Sequence, residues 1–133
     1  MAEVEAGIFA RLSGQAGVTN LVGKRIYGGI APQDSTMPHI TYFKVSEYQP
    51  HSMIVDSGPI RPRIQVDIWS TGYGQSKAIA RAVRTALQDY SGTTGGITFQ
   101  RIFFEDENEL PEIDPGTQAV THHVAQDYFA WHN

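Results

Sequence analysis

The sequence predicts an α+β fold: an antiparallel four-stranded sheet packed by two helices in the order α-β-β-α-β-β, with a long hairpin loop. Three observations predict it. Two stretches carry apolar residues at helical spacing, four others are rich in β-branched and aromatic residues, and the six segments alternate in that order between Pro and Gly breaks. At 133 residues the chain fits one domain, 1–133, because a chain of this size buries about two-thirds of its unfolded surface.

The first helix is expected over 3–13, where Val4, Ile8 and Leu12 share a face and Gly14 follows as a stop. Residues 15–38 read as an irregular connection broken by Gly28, Gly29, Pro32 and Pro38, with room for a helical turn at 17–22. Strands are expected at about 39–48 and 62–70. The second of these alternates cleanly, so Ile64, Val66 and Ile68 should face the helices while Trp69 ends the opposite face. Between them, residues 49–61 are long for a hairpin connection, and long connections are often functional. The second helix is expected over 73–90, with Ile79, Val83, Ala86, Leu87 and Tyr90 on one face, and Gly92 and the glycines after it as the stop. The last strands are expected at about 97–104 and 119–131.

Two helices cover only one face of such a sheet. The other strands do not alternate cleanly, so aromatic side chains such as Phe43 are left on the second face or along an edge. Either another subunit covers them or the segments 15–38 and 105–118 fold over them.

Composition narrows the function. Apolar residues are 41% and charged residues 18%, the range of a folded chain, and no apolar run approaches membrane-spanning length. The opening residues have acids where a secretory leader needs basic ones, so the protein is expected to stay where it is made. Cysteine is absent, which removes disulfides, thiolate zinc sites and cysteine nucleophiles. The net charge of −4 argues against nucleic-acid binding, and its distribution is uneven. All ten basic residues fall at or before Arg101, against seven acids there, a net of +3; the remaining seven acids follow with nothing basic among them. Such asymmetry suits head-to-tail contact between subunits, or marks one solvated acidic loop.

No motif assembles an active site. His122 and His123 are neighbours in a predicted strand and point to opposite faces, and His39 and His51 have no partner at ligand spacing. The acidic stretch 105–114 lacks the glycine and glutamate positions of a calcium loop and reads as solvated. The glycines match neither phosphate-binding fingerprint, and no nucleophile elbow is present. Neither catalytic residue, nor cofactor, nor metal is therefore expected.

Several segments in order carry a resemblance: Leu21 to Tyr27, Ala31-Pro32-Gln33, Pro38 to Tyr42, Arg63 to Ser70 leading into the helix at Tyr73, and Asp127 to His132. Together they resemble the tail-completion or tail-terminator proteins, also described as head–tail joining proteins, of long-tailed phages and gene-transfer particles. The resemblance implies a structural virion protein, assembled in the host cytoplasm and located at the head–tail junction. It would form a ring, usually of six subunits, on the head-proximal end of the tail tube, stop tube polymerisation and offer a surface to the head. Its partners would be its own copies, the tail-tube protein and a head-completion or connector protein. DNA would be passing cargo and no membrane is involved. Other readings are another head–tail connector or protein-binding module of similar fold, and a small metal-dependent enzyme using His122 or His123. Under the ring reading, Met53, Ile54, Val55, Phe43 and Trp69 are the expected contact residues. Glu105, Asp106, Glu107 and Glu109 are the lumen candidates, with a rim meeting Arg81 or Arg84 of a neighbour, or plain solvent, as the alternatives.

Overall fold

The computed structural model describes residues 3–49 and 60–132. Three helices and seven strands follow in the order α1 (Val4–Ser13), α2 (Ala16–Val22), β1 (Ile26–Gly28), β2 (His39–Tyr48), β3 (Arg61–Ser70), α3 (Tyr73–Leu87), β4 (Gly92–Thr94), β5 (Ile97–Glu109), β6 (Glu112–Ile113) and β7 (Val120–His132).

The α+β class holds, and the four expected strands form the centre of the sheet in the antiparallel order β2-β3-β7-β5. The count does not. The sheet has seven strands because β1 adds in parallel to β2, β4 folds back on β5, and β6 pairs with β7. Each extra strand has two or three residues, too few to show a period of two in the sequence. The turn expected at 17–22 is the helix α2, which buries Val18 and Val22.

The helices lie on one face. Ile64, Val66, Ile68, Ile79, Val83 and Leu87 are all at 0% exposure, so the alternation of β3 and the stripe of α3 meet as the sequence requires. Val4, Ile8 and Leu12 of α1 join the same cluster. Register carries the face across the sheet: Ile40 pairs with Ile68 and Ile68 with Val124, while Ile64 pairs with Tyr128 and Tyr128 with Phe104.

α3 stops at Leu87, short of the expected Tyr90, and Gly92 has no part in ending it. Gln88 is extended and Asp89 is left-handed, with φ 63°. That turn lets the Asp89 amide donate to the Ile102 carbonyl at 2.8 Å and the Ile102 amide to the Tyr90 carbonyl at 3.0 Å. Hydrogen bonding to a sheet edge outweighs one more helical turn. Gly95 and Gly96, at φ 59° and 81°, form the tight β4–β5 turn that positive φ at both positions allows. α1 sits directly on this turn, where a Cβ at Gly95 would collide with the Ala6 carbonyl.

The stretch expected to be a solvated loop from residue 105 onwards is a strand as far as Glu109. Acids are poor strand formers, but β7 offers a paired edge, and Asp106, Glu107, Asn108 and Glu109 take register with Asp127, Gln126, Ala125 and Val124. A bulge between Phe104 and Asp106 accommodates the change of composition.

Candidate functional site

The sheet face away from the helices is built by the odd residues of β2 and β3 and their partners on β7. At one end, Tyr27, His39, Trp69 and His123 form a ladder of rings, with centroids 6.0, 6.2 and 3.8 Å apart. The Trp69 indole donates to Thr41 Oγ1 at 3.1 Å. Asp67 lies beneath, taking hydrogen bonds from Gln65 at 2.9 Å and from His123 Nε2 at 2.7 Å. Loop residues Gly29 to Pro32 flank this end and leave a groove of about 290 Å³ against His39, Thr41, Asp67 and Trp69. Burial, and to a lesser degree the nearby Arg25, push the His39 imidazole below its ordinary value, partly offset by its bond to the Thr36 carbonyl.

At the other end the Arg61 guanidinium lies over Tyr48, Phe129 and Trp131, 4.6 to 5.6 Å from the ring centroids, and Arg63 pairs with Asp127 at 3.1 Å. Arginine stems and planes thus cover aromatic surface that no helix reaches. The expected contact residues therefore differ in setting. Trp69 stands inside the ring ladder, whereas Phe43 is 36% exposed beside Val45 and Tyr48 on the outer half of β2. β1 pairs with β2 only from Ile40 to Tyr42, so among the described residues that half of the edge has no partner strand. Met53, Ile54 and Val55 lie outside the described residues.

The four acidic lumen candidates do not share a surface. Glu109 is 2.7 Å from Lys77 Nζ and accepts from the Tyr73 hydroxyl at 3.1 Å, and Glu107 is 3.9 Å from the same lysine. These bonds hold Glu109 below the usual carboxylate range and Lys77 above its own. Glu107 also accepts from Gln126, a fully buried amide that donates to the Ala80 carbonyl as well and accepts from the Tyr128 hydroxyl. The sequence had shown none of this network, since Gln126 reads as an ordinary polar strand residue. Asp106 binds the amide of Glu107 and the side chain of Asn108, and Glu105 is exposed.

His122 and His123 do point apart. His122 meets Tyr73 edge-on at 5.5 Å on the helix side, in a small pocket shared with Ser76, Pro111 and Val124. His123, with Asp67, has the look of a general-base pair, but its ring is stacked on Trp69 and its Nδ1 is buried without a partner. Among the described residues no serine or threonine hydroxyl bonds to it, and no group of three His, Asp or Glu could hold a metal. The pair fixes a ring in the ladder.

Residues 6–133 match the family described as tail completion protein gp17. The chain belongs to that family. Family membership places it in the virion tail, among structural proteins. One similar solved structure is a chain of the virion of a native gene transfer agent particle, 14% identical, with a TM-score of 0.76 over 97% of this chain and 93% of that one. At that identity the likeness concerns the fold. No curated protein sequence matches this family member. None of its described helices is long and apolar enough to cross a membrane.

Proposed function

We propose that the chain, acting as one domain over 1–133, forms a homo-oligomeric ring, of six copies, on the head-proximal end of the tail tube. There it stops tube polymerisation and presents a surface to the head-completion protein. The family match over residues 6–133 carries this reading. It is supported by the similarity to a virion chain and by the partnerless outer half of β2, where Phe43, Val45 and Tyr48 are exposed. An exposed edge with aromatic side chains is a surface that natural sheets cover or blunt. Met53, Ile54 and Val55, which follow this edge in the chain, extend the same contact, and Trp69 supports it from the ring ladder. DNA passes through the ring, and the lumen is lined by acids, led by Glu105 and Asp106, since Glu107 and Glu109 are tied to Lys77.

Electron microscopy of the protein alone and with tail-tube protein tests the reading. Rings, and tubes capped at one end with arrested growth, are the expected result. A monomer that leaves tube length unchanged overturns it.

A further inference from the structure

The end of β5, β6 and the start of β7 make an arm that no helix covers and that touches its own chain mainly at its base, where Glu109 meets Lys77 and Pro111 borders the Tyr73–His122 pocket. Every residue from 108 to 120 is exposed, including Leu110 at 47%, Ile113 at 62% and Val120 at 42%. Yet the arm is well formed. Ile113 pairs with Val120 across the ribbon, the Leu110 amide donates to the His123 carbonyl at 2.7 Å, and the Asp114 side chain accepts from the Gly116 amide at 2.8 Å. An isolated two-stranded hairpin is marginal in water, and ordering one costs conformational entropy that burial must offset. Here the chain itself buries none of the arm's residues from 108 to 120.

On the helix layer, α2 and α3 leave a groove of about 370 Å³ floored by Val18, Ala78, Ala82 and Ala86. Arg81 lies on its rim, exposed, its guanidinium in no hydrogen bond or ion pair among the described residues, and Arg84 stands one turn away. The arm carries Glu112 and Asp114 with no basic residue on it. Both surfaces thus pair an apolar strip with a charged margin, of opposite sign. A two-stranded ribbon is narrow enough to keep its acids within about one Debye length, some 8 Å, of such a rim.

We infer that the arm of one copy docks into the α2–α3 groove of the next, with Ile113 and Val120 facing the alanine floor and Glu112 and Asp114, at the ribbon's margin, within electrostatic range of Arg81 on the rim. Because arm and groove are different surfaces, the contact is heterologous and repeats from copy to copy until it closes. The inference rests on the ring reading and assigns the contact that builds the ring.

A paired charge reversal tests it. Glu112→Lys with Ala119→Lys inverts the arm. Arg81→Glu with Thr85→Glu inverts the groove and spares Arg84, which stacks on Phe104 at 3.9 Å. Each variant alone should sediment as a monomer with an unchanged melting profile, while their equimolar mixture should regain the parent's ring, since every junction is again complementary. A third variant, Ile113→Asn, should weaken assembly at least tenfold at constant fold. Either reversed variant assembling alone like the parent, or a mixture that stays monomeric while the parent forms rings, overturns the arm-in-groove contact but not the ring. A parent that forms no ring overturns the ring reading itself.

Discussion

At residue scale, the buried polar groups say most about how this fold is specified. Gln126 would be costly on a fully buried face unless each of its polar atoms were bonded, and it spends them on α3, β5 and β7 at once. Tyr128→Phe removes the donor to Gln126 Oε1 and should destabilise the protein by about 1–3 kcal/mol, measured by denaturant unfolding. Burial holds the Tyr128 hydroxyl well above its ordinary value, so its proton stays to make that bond. Val83 is at 0% exposure within the apolar core, so Val83→Asp should cost more than about 4 kcal/mol and leave no cooperative melting transition. His39 adds a pH term. Its folded value lies below the unfolded reference of about 6.5, so unfolding takes up a proton as the pH drops through that window. Stability is full above about pH 6.5 and is lost as the pH falls towards the folded value. His39→Gln should flatten that part of the stability profile, read from melting temperature against pH.

At the scale of elements, the β4–β5 turn is the tightest joint. Gly95→Ala should cost about 1–3 kcal/mol from its left-handed backbone alone, and more from displacing α1 at Ala6. Amide exchange in α1 should rise more than in α3, because α3 does not rest on the turn. The strands β2 and β3 illustrate a different point. The centre of β3 was legible because hydrophobic alternation is a local property of the sequence, and Ile64, Val66 and Ile68 display it without interruption, whereas β2 was read from its β-branched and aromatic residues. β5 beyond Phe104 was not legible. A strand made of Glu105 to Glu109 has no intrinsic preference for extension, and exists because β7 is already there to pair with it.

At the scale of the whole molecule, the uneven charge of the sequence becomes a geometry. Lys77 draws Glu107 and Glu109 onto the helix side, leaving Glu105 and Asp106 on the body and Glu112 and Asp114 on the projecting arm. If the exposed pair faces passing DNA, Glu105→Lys with Asp106→Lys should leave ring assembly intact and make the ring retain DNA at low salt, seen by gel shift across a salt series. A variant that assembles and ignores DNA as the parent does removes both residues from the lumen. Shortening the connection by deleting 51–58 should leave a folded subunit with weakened ring formation, if Met53, Ile54 and Val55 extend the contact begun at Phe43.

By itself the sequence determined the α+β class, the two amphipathic faces that make the core, and an order of motifs that points to the tail completion family. These are properties of periodicity and order, which a chain carries before it folds. Only the tertiary structure decided the seven-strand sheet, the sharing of the acids between Lys77 and the arm, and the partial covering of the second face by a ring ladder and Arg61, which leaves Phe43, Val45 and Tyr48 exposed. Each of those depends on a partner distant in sequence, such as Trp69 on His123 or Gln126 on Ala80, and long-range pairing leaves no local period to read.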